Sequence, residues 1–305
     1  PDLARSYRKL ATQGSNWFYR GDFAKTVSRW MRDHGGLLNA SDFQSYQAKE
    51  RSPIRSTYRG FTLLGFPPPS SGGIHVAQIL NILEHFPMRR WLREDAARAH
   101  HVIVEAMKLA FADRAHWLGD ADFAKVPKGL TAKAYAKRLA EKIDLEQASP
   151  VPNHGVPDHW EDDVYGKHTT HIAAADSEGN WVAITATVNT PFGSKVVVPG
   201  TGIVLNNEMD DFSAQPGVPN AFGLIGADAN AIAPGKRPLS SMTPTILLKD
   251  GEPVLTVGAA GGPKIITQVL QAIVRFVDGE QPLDQCVGQP RLHHQWKPDR
   301  LFVEQ

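Results

Sequence analysis

The sequence has only one cysteine, Cys286, among its 305 residues. A lone cysteine excludes a disulfide within the chain and any metal site built from several thiolates. Because proteins without disulfides occur in both reducing and oxidising compartments, this scarcity leaves the compartment open. The sequence also lacks a continuous apolar run of about 18 residues, the length expected of a membrane-spanning helix.

Net charge is nearly absent as well, because 33 basic and 32 acidic residues leave a formal charge of +1. This balance provides no field that would gather nucleic acid or an anionic membrane. We therefore expect small-molecule or protein partners. The chain has no low-complexity tract and no repeat of solenoid length, and it is long enough for one large domain or two modest ones.

The first half of the chain is predicted to be mainly helical. Apolar residues at helical spacing predict helices in the first 45 residues and then over 95–118 and 131–143. Residues 54–66 alternate and are rich in β-formers, which predicts a strand or hairpin. In Pro67-Pro68-Pro69-Ser70-Ser71-Gly72-Gly73 the serines stand at the entry of another helix, where their residue type favours a helix N-cap.

The pattern changes between Gln147 and Lys167, where prolines, histidines and the acidic run 161–163 replace any periodicity. We interpret this stretch as an exposed linker and as the main organisational boundary. Beyond it, a β-hairpin is predicted, with strands over 170–175 and 181–189. In its second strand one face is apolar (Val182, Ile184, Ala186, Val188) and the other is polar (Thr185, Thr187, Asn189). We expect the apolar face to be core and the polar face to be either a site or solvated.

Farther along, Gly258-Ala259-Ala260-Gly261-Gly262-Pro263 opens a strongly apolar helix. Glycines before a helix let the backbone approach a ligand closely, and the free N–H groups together with the helix dipole can stabilise an anion. A plain glycine-rich turn is the alternative interpretation of this segment.

Six short segments of the chain together resemble the γ-glutamyltransferase (γ-glutamyltranspeptidase) family of N-terminal-nucleophile hydrolases. Each segment is short, and it is their order and spacing that make the resemblance specific. They are the polyproline segment 67–73, Glu105-Ala106-Met107-Lys108-Leu109-Ala110-Phe111-Ala112-Asp113-Arg114, Thr169-Thr170-His171, Leu205-Asn206-Asn207-Glu208-Met209-Asp210-Asp211-Phe212, Lys236-Arg237-Pro238-Leu239-Ser240-Ser241-Met242, and the Gly261-Gly262 turn.

The resemblance implies that Thr169 is the nucleophile of both self-cleavage and turnover. Its hydroxyl is expected to attack the carbonyl of His168, and an acyl shift followed by hydrolysis then splits the chain into a large and a small subunit. The new α-amine, with a pKa of about 7.7–8.0, can accept the proton of its own hydroxyl. A threonine in mid-chain lacks that base, which is why cleavage precedes turnover.

The resemblance also implies a set of binding residues. Thr187 is expected to hydrogen-bond the Thr169 hydroxyl, and the N–H groups of Gly261 and Gly262 to form the oxyanion hole. The expected partners of the γ-glutamyl group are Asn189, Glu208 and Asp211 for the α-ammonium, and Ser240 and Ser241 for the α-carboxylate.

At the level of the whole protein, the resemblance implies an α+β fold, a four-layer αββα sandwich. Residues 1–168, with the linker at 147–168, would belong to the large subunit and 169–305 to the small subunit, intertwined in one domain. The expected partners are a glutathione-like donor and an amino acid, peptide or water acceptor. No metal or organic cofactor is expected, and the family suggests a periplasmic or secreted location.

Three features depart from the family pattern. The arginine that clamps the substrate carboxylate in the family is expected upstream of Pro1, and further strands are expected after Gln305, so the chain resembles a fragment. In the loop 216–226, which resembles the family's lid, Phe222 stands where bacterial relatives often have tyrosine. A phenyl ring can cover the pocket, but it lacks the hydrogen bond of the hydroxyl.

Three alternatives remain open from the sequence. A metal-dependent hydrolase could use the histidines of this region, although they show no recognisable ligand spacing; they are His154, His159, His168 and His171. A non-catalytic or only self-cleaving relative could serve as an interaction module. An acylase for glutaryl-type amides is disfavoured by Asp211, because a glutaryl group has no ammonium to pair with a buried carboxylate. A serine-hydrolase Gly-x-Ser-x-Gly elbow is absent from the sequence.

Overall fold

The structure is a computed structural model that describes residues 1–155, 169–215 and 227–304. The chain divides into two compact units, one of residues 1–51 and 190–207 and the other of residues 52–189 and 208–305. The two units are described separately below. The division at Thr169 that the resemblance implies follows a cleavage site rather than compactness, and it stays a prediction.

The first unit is helical, as predicted for the first 45 residues. Its helices are α1 (Asp2–Tyr19), α2 (Asp22–Asp33) and α3 (Ala40–Ser45). Trp17, Phe23, Val27 and Val198 form its small buried core. The turn between α1 and α2 requires Gly21, because a Cβ there would lie 2.7 Å from the carbonyl oxygen of Trp17.

The second unit contains an antiparallel four-stranded sheet and two short hairpins. Its strands are β1 (Ile54–Tyr58), β2 (Phe61–Gly65), β3 (Thr170–Ala175), β4 (Trp181–Ala186), β5 (Thr245–Lys249), β6 (Glu252–Val257), β7 (Leu292–His293) and β8 (Phe302–Val303). The sheet order is β1-β2-β5-β6, while β3 pairs with β4 and β7 with β8. The hairpin predicted over 54–66 is confirmed. The strand predicted over 181–189 ends earlier, at Ala186.

The second unit also contains a group of helices, one of which packs directly on the four-stranded sheet. They are α4 (Gly72–Leu83), α5 (Met88–Glu94), α6 (Ala96–Trp117), α7 (Lys133–Ala140), α8 (Lys264–Val277) and α9 (Leu283–Gly288). Every residue of α4 is buried, because this helix packs on β1 and β2 and also against α6, α7 and α8. The helices predicted over 95–118 and 131–143 are confirmed as α6 and α7, and the apolar helix after the Gly261-Gly262 turn is confirmed as α8.

The prediction that the apolar face of the second hairpin is core is wrong. Ile172, Val182 and Ile184 lie on the exposed side of β3 and β4. The opposite side faces the rest of the unit, where the ring of His171 occupies the space that a side chain at Gly258 would need. Pleated strands alternate their side chains, so Thr185 of β4, which pairs with His171, points inward together with it.

The start of the predicted linker is held against α6. The ammonium of Lys108 donates to the carbonyl oxygen of Ser149 over 2.5 Å, and the N–H of Ser149 donates to Glu105 over 3.1 Å. Farther along both segments, the N–H of Gly155 donates to Asp113 over 2.8 Å. Residues 147–154 are half-buried or exposed and Gly155 is buried. The rest of the predicted linker lies outside the described residues, so the linker stays a prediction.

Cys286 lies on α9 and is 2% exposed. Burial raises the pKa of its thiol. The buried guanidinium of Arg275, on α8, donates over 3.1 Å to the carbonyl oxygens of Cys286 and Gln289, which holds α9 against α8. Within residues 1–155, 169–215 and 227–304, no helix has the length and apolar character needed to cross a membrane.

Candidate active site

Thr169 is half-buried and directly precedes β3. Strand β3 pairs with β4 in a register that sets Thr170 opposite Ala186 and His171 opposite Thr185. Extended by one residue, the same register sets Thr169 opposite Thr187. The fold thus brings the predicted nucleophile to the end of the hairpin at which its predicted hydrogen-bond partner lies.

The glycine-rich turn before α8 lies on the inward side of this hairpin. His171, two residues after Thr169, packs against Gly258, from which the chain continues to Gly261 and Gly262. These two glycines have φ angles of 125° and 61°, a region that other residues rarely adopt. The side-chain amide of Gln268 donates to the carbonyl oxygen of Ala260 over 2.8 Å and braces the turn.

Asn189 connects the hairpin to the acidic segment Glu208–Asp211, a short 3₁₀ helix. Its backbone N–H donates to the hydroxyl of Thr187 over 2.8 Å, and its side-chain amide donates to Asp211 over 3.2 Å. Asn189 has a φ of 75°, a left-handed conformation that asparagine tolerates better than most residues. Asn189 thus contacts both its near neighbour Thr187 and Asp211, which lies 22 positions farther along the chain.

The two acids of this group have strongly raised pKa values. Burial is the main cause for both, and it raises the pKa of Glu208 to about 7 and that of Asp211 to about 8. The negative charge of Glu208 raises the pKa of Asp211 further, while the positive charge of Arg114 and the hydrogen bond from Asn189 oppose this rise. The site therefore favours cations or protons next to these carboxyl groups.

These raised pKa values predict a pH dependence of stability. The unfolded chain releases the Asp211 proton near pH 3.8, whereas the folded protein holds it to about pH 8. Between these values the unfolded state binds fewer protons, so the contribution of Asp211 to the free energy of unfolding falls as the pH rises. The stability of Asp211→Asn relative to wild type should therefore increase from pH 5 to pH 8 in urea unfolding experiments.

Asp228→Asn is the matched control for this experiment, because Asp228 is also in a 3₁₀ helix but is exposed. Its stability relative to wild type should change little over the same pH range. Parallel pH profiles for wild type and Asp211→Asn would contradict the prediction.

Ser240 and Ser241 lie beside the polyproline segment. Ser240 exchanges backbone hydrogen bonds with it, donating to the carbonyl oxygen of Pro69 over 2.8 Å and accepting from the N–H of Ser71 over 2.9 Å. The hydroxyl of Ser241 accepts a hydrogen bond from Arg114 over 2.8 Å. The fold thus places both predicted carboxylate-binding serines on one fixed segment.

The prediction that the serines of the polyproline segment cap helix α4 is wrong for Ser71, which is the N-cap residue by position but makes no capping hydrogen bond with its side chain. Its hydroxyl instead donates to the carbonyl oxygen of Ser240 over 3.0 Å and accepts from Arg114 over 2.8 Å. The Ser71 hydroxyl therefore bonds to residues that are distant in the sequence instead of to the backbone of its own helix.

Sequence periodicity could not identify Arg114 as part of this site. All residues of α6 from Glu105 to Trp117 are buried, so no solvent-facing stripe sets the arginine apart. The residue type could have indicated Arg114, because an arginine in an otherwise buried helix requires hydrogen-bond acceptors nearby.

Two predicted residues, His168 and Phe222, lie outside the described residues, as do His159 and most of the linker. Of the other histidines, His171 is hydrogen-bonded to Thr185 over 2.9 Å and His154 stacks on His116 with 4.1 Å between ring centroids. Within the described part of the chain, no group of three or more His, Cys, Asp or Glu side chains is placed to hold a metal ion.

Comparison with known proteins gives a consistent result. The family model described as gamma-glutamyltranspeptidase matches residues 1–305. The chain is 48% identical to the glutathione hydrolase proenzyme of Escherichia coli over 308 residues, covering 99% of this chain and 52% of that protein. It is 38% identical over 295 residues to an acylase ACY 1 proenzyme from Pseudomonas, covering 95% of this chain and 49% of the relative.

A solved structure is similar over nearly the same range. The crystal structure of cephalosporin acylase from Bacillus halodurans matches with a TM-score of 0.82 and 29% identity, covering 96% of this chain and 50% of that one. The chain thus spans about half the length of the curated relatives it matches.

Proposed function

Because the chain belongs to the gamma-glutamyltranspeptidase family, we propose that the protein cleaves the γ-glutamyl amide of glutathione-like compounds and passes the γ-glutamyl group to amino acids, peptides or water. The observation that carries this proposal is the pair of buried carboxyl groups of Glu208 and Asp211, of which Asp211 accepts a hydrogen bond from Asn189. Burial makes both groups favour a nearby cation or proton, and the charge of Glu208 strengthens this preference at Asp211. An α-ammonium is the part of a γ-glutamyl donor that meets this need.

In the proposed reaction, the α-amine of cleaved Thr169 takes the proton of its own hydroxyl, and the hydroxyl oxygen attacks the γ-carbonyl carbon. The proton then passes to the leaving amine as the C–N bond breaks, which leaves a γ-glutamyl ester on Thr169. An acceptor amine or water attacks this ester and restores the hydroxyl. The N–H groups of Gly261 and Gly262 would stabilise the oxyanion, and their positive φ angles support this role.

The same hydroxyl would first act on its own chain. Attack on the carbonyl of His168, followed by hydrolysis, would create the α-amine that turnover requires. The products would be a large and a small subunit that stay together as a heterodimer. Thr187, opposite Thr169 in the extended register, is the proposed hydrogen-bond partner of the nucleophile.

A glutaryl-amide acylase is the second candidate, since both an acylase proenzyme and a cephalosporin acylase structure are similar to this chain. The acid group argues against it, because a glutaryl donor would leave the buried Asp211 without an ammonium partner. Turnover of γ-glutamyl anilide compared with glutaryl anilide separates the two candidates directly.

The proposal is tested by intact-mass measurement and by a γ-glutamyl anilide assay on the full-length protein, with and without glycylglycine. We expect two fragments divided between His168 and Thr169, anilide hydrolysis, and faster release when glycylglycine is present. Two fragments without turnover would instead support a self-cleaving interaction module. An uncut, fully active protein would exclude Thr169 as the nucleophile.

The remaining features of the proposed protein follow from the family. We propose a periplasmic or secreted location, which cell fractionation would test. The proposed chemistry requires no metal or organic cofactor, because the base, the nucleophile and the oxyanion donors all come from the chain. Retention of activity after dialysis against EDTA is the corresponding test.

A further inference from the structure

Arg114 lies in the C-terminal half of α6 and is 3% exposed. Its guanidinium reaches two segments of the candidate site. The Nε atom donates to the hydroxyl of Ser71 over 2.8 Å, and the Nη2 atom donates to the hydroxyl of Ser241 over 2.8 Å. Such a fork of parallel donors fixes two partners at once, which an ammonium could not reproduce.

These bonds determine where the serine hydroxyls can point. A serine hydroxyl has one hydrogen and two lone pairs. Because the oxygen of Ser241 accepts the Arg114 donor, its own hydrogen must point away from the guanidinium. Ser240 is arranged in a similar way, since its hydroxyl oxygen accepts the N–H of Met242 over 3.0 Å. Both oxygens are thus occupied as acceptors, which disposes both hydroxyls to act as donors.

Arg114 also acts on Ser240 through Ser71. While the Ser71 oxygen accepts from Arg114, its hydroxyl donates to the carbonyl oxygen of Ser240 over 3.0 Å and its backbone N–H donates to the same oxygen over 2.9 Å. The backbone of Ser240 is therefore held by a residue that Arg114 itself holds. Each of these contacts lies within the second unit.

We propose that Arg114 is a positioning residue for substrate, which orients and polarises Ser241 directly and Ser240 through Ser71, so that both hydroxyls donate to the α-carboxylate of the donor. This inference rests on the proposed function, which assigns the α-carboxylate to these two serines. Arg114 does not itself need to touch the substrate, because the serines carry its effect.

The charge of Arg114 fits this position. The α-amino-acid end of a γ-glutamyl donor carries one negative and one positive group. Arg114 lies behind the serines proposed for the negative group, and its charge also lowers the pKa of Asp211, the acid proposed for the positive group. A single buried cation thus keeps Asp211 closer to the ionised form that an ammonium requires.

The test compares two donors in the full-length protein, γ-glutamyl anilide and the same compound with its α-carboxylate converted to a carboxamide. Wild type should prefer the carboxylate in kcat/KM. Arg114→Gln should lower this preference by about 10- to 100-fold, the loss expected when a hydrogen bond to a charged group is weakened. Arg114→Lys should lower it less, since a lysine keeps the charge but loses the fork.

Two further variants identify the route of the effect. Ser241→Ala should also lower the preference, and the double variant should lose less than the two single losses combined, because part of the effect of Arg114 passes through the Ser241 hydroxyl. Arg275→Gln is the matched control, since Arg275 is a buried arginine that bonds only to carbonyl oxygens near α9 among its described contacts. It should lower stability without changing the ratio between donors.

The outcomes separate this inference from the proposed function. Equal loss of turnover for both donors in Arg114→Gln would show that Arg114 only supports the fold of the site. This result would overturn the positioning role. A wild type that turns over γ-glutamyl anilide while Arg114→Gln keeps the donor ratio would overturn only the role of Arg114. A wild type that turns over neither donor would overturn both proposals. If Arg114→Gln does not fold, an unchanged ratio in Arg114→Lys together with Ser241→Ala would overturn the inference.

Discussion

Thr169→Ala should leave the full-length chain uncut and should abolish release of anilide from a γ-glutamyl donor. The substitution removes the hydroxyl that is proposed both to break the bond after His168 and to form the γ-glutamyl ester. Loss of the nucleophile in other hydrolases lowers kcat by about 10⁶-fold, and we expect a loss of that order here. Intact mass and the anilide assay measure the two effects separately.

Thr170→Ala is the matched control for this experiment. Thr170 is the neighbouring residue of the same type, but it is exposed and paired with Ala186 within the hairpin. It should still be cleaved and should keep activity within a few-fold of wild type. Thr169→Ser, which keeps a hydroxyl at the same place, should retain cleavage. A cut and active Thr169→Ala protein would contradict the assignment of the nucleophile.

Asp211→Asn should lower kcat/KM for a γ-glutamyl donor by about 30- to 5,000-fold, the range that corresponds to 2–5 kcal/mol for removing one partner of a buried charge pair. Asparagine keeps the size of the side chain, and Asn189 can still contact its carbonyl oxygen. It cannot, however, supply the negative charge that pairs with an α-ammonium. Steady-state kinetics with γ-glutamyl anilide measure this loss.

A glutaryl donor provides the internal control for the same variant. It has the γ-acyl chain but no ammonium, so the loss of negative charge should not slow its turnover. The preference for γ-glutamyl over glutaryl anilide should therefore fall in Asp211→Asn and stay unchanged in Asp228→Asn. Equal losses for both donors would show that Asp211 supports the fold of the site rather than binding the ammonium.

Much of the fold follows from local patterns in the sequence. The α+β class is confirmed by the structure and by its similarity to a cephalosporin acylase. Helices α6, α7 and α8 were predicted because apolar side chains recur at helical spacing, and each of them lies against the core as expected. These helices were predictable because a helix with one buried face needs apolar residues every three or four positions, and this spacing can be read directly from the sequence.

The side of the second hairpin that faces inward could not be predicted in this way. Alternation showed that β4 has an apolar and a polar face, but the direction of each face depends on what lies next to it. Here the neighbour is Gly258, which has no side chain and therefore leaves room for the ring of His171. The face of the hairpin that carries His171 can therefore lie on the inward side. His171 and Gly258 are 87 positions apart in the sequence, so a pattern of neighbouring residues could not predict their contact.

The candidate site, too, could be predicted only in part from the sequence. The resemblance points to Asn189, Asp211 and Ser241, whose roles stay predictions, and the fold joins Asn189 to Asp211 by a hydrogen bond. The contacts of Arg114 could not be predicted, because they connect α6 with two segments that are distant in the sequence. Long-range hydrogen bonds of this kind become visible only when the chain is folded.

The single cysteine described on α9 gives the protein a built-in reporter. Because the Cys286 thiol is buried and its pKa is raised, it reacts slowly with alkylating reagents as long as the helices around it stay closed. A short pulse of such a reagent modifies only molecules in which this region has opened. Mass spectrometry of pulse-labelled samples can therefore count opened molecules of each variant, even in mixtures, without adding any probe to the sequence.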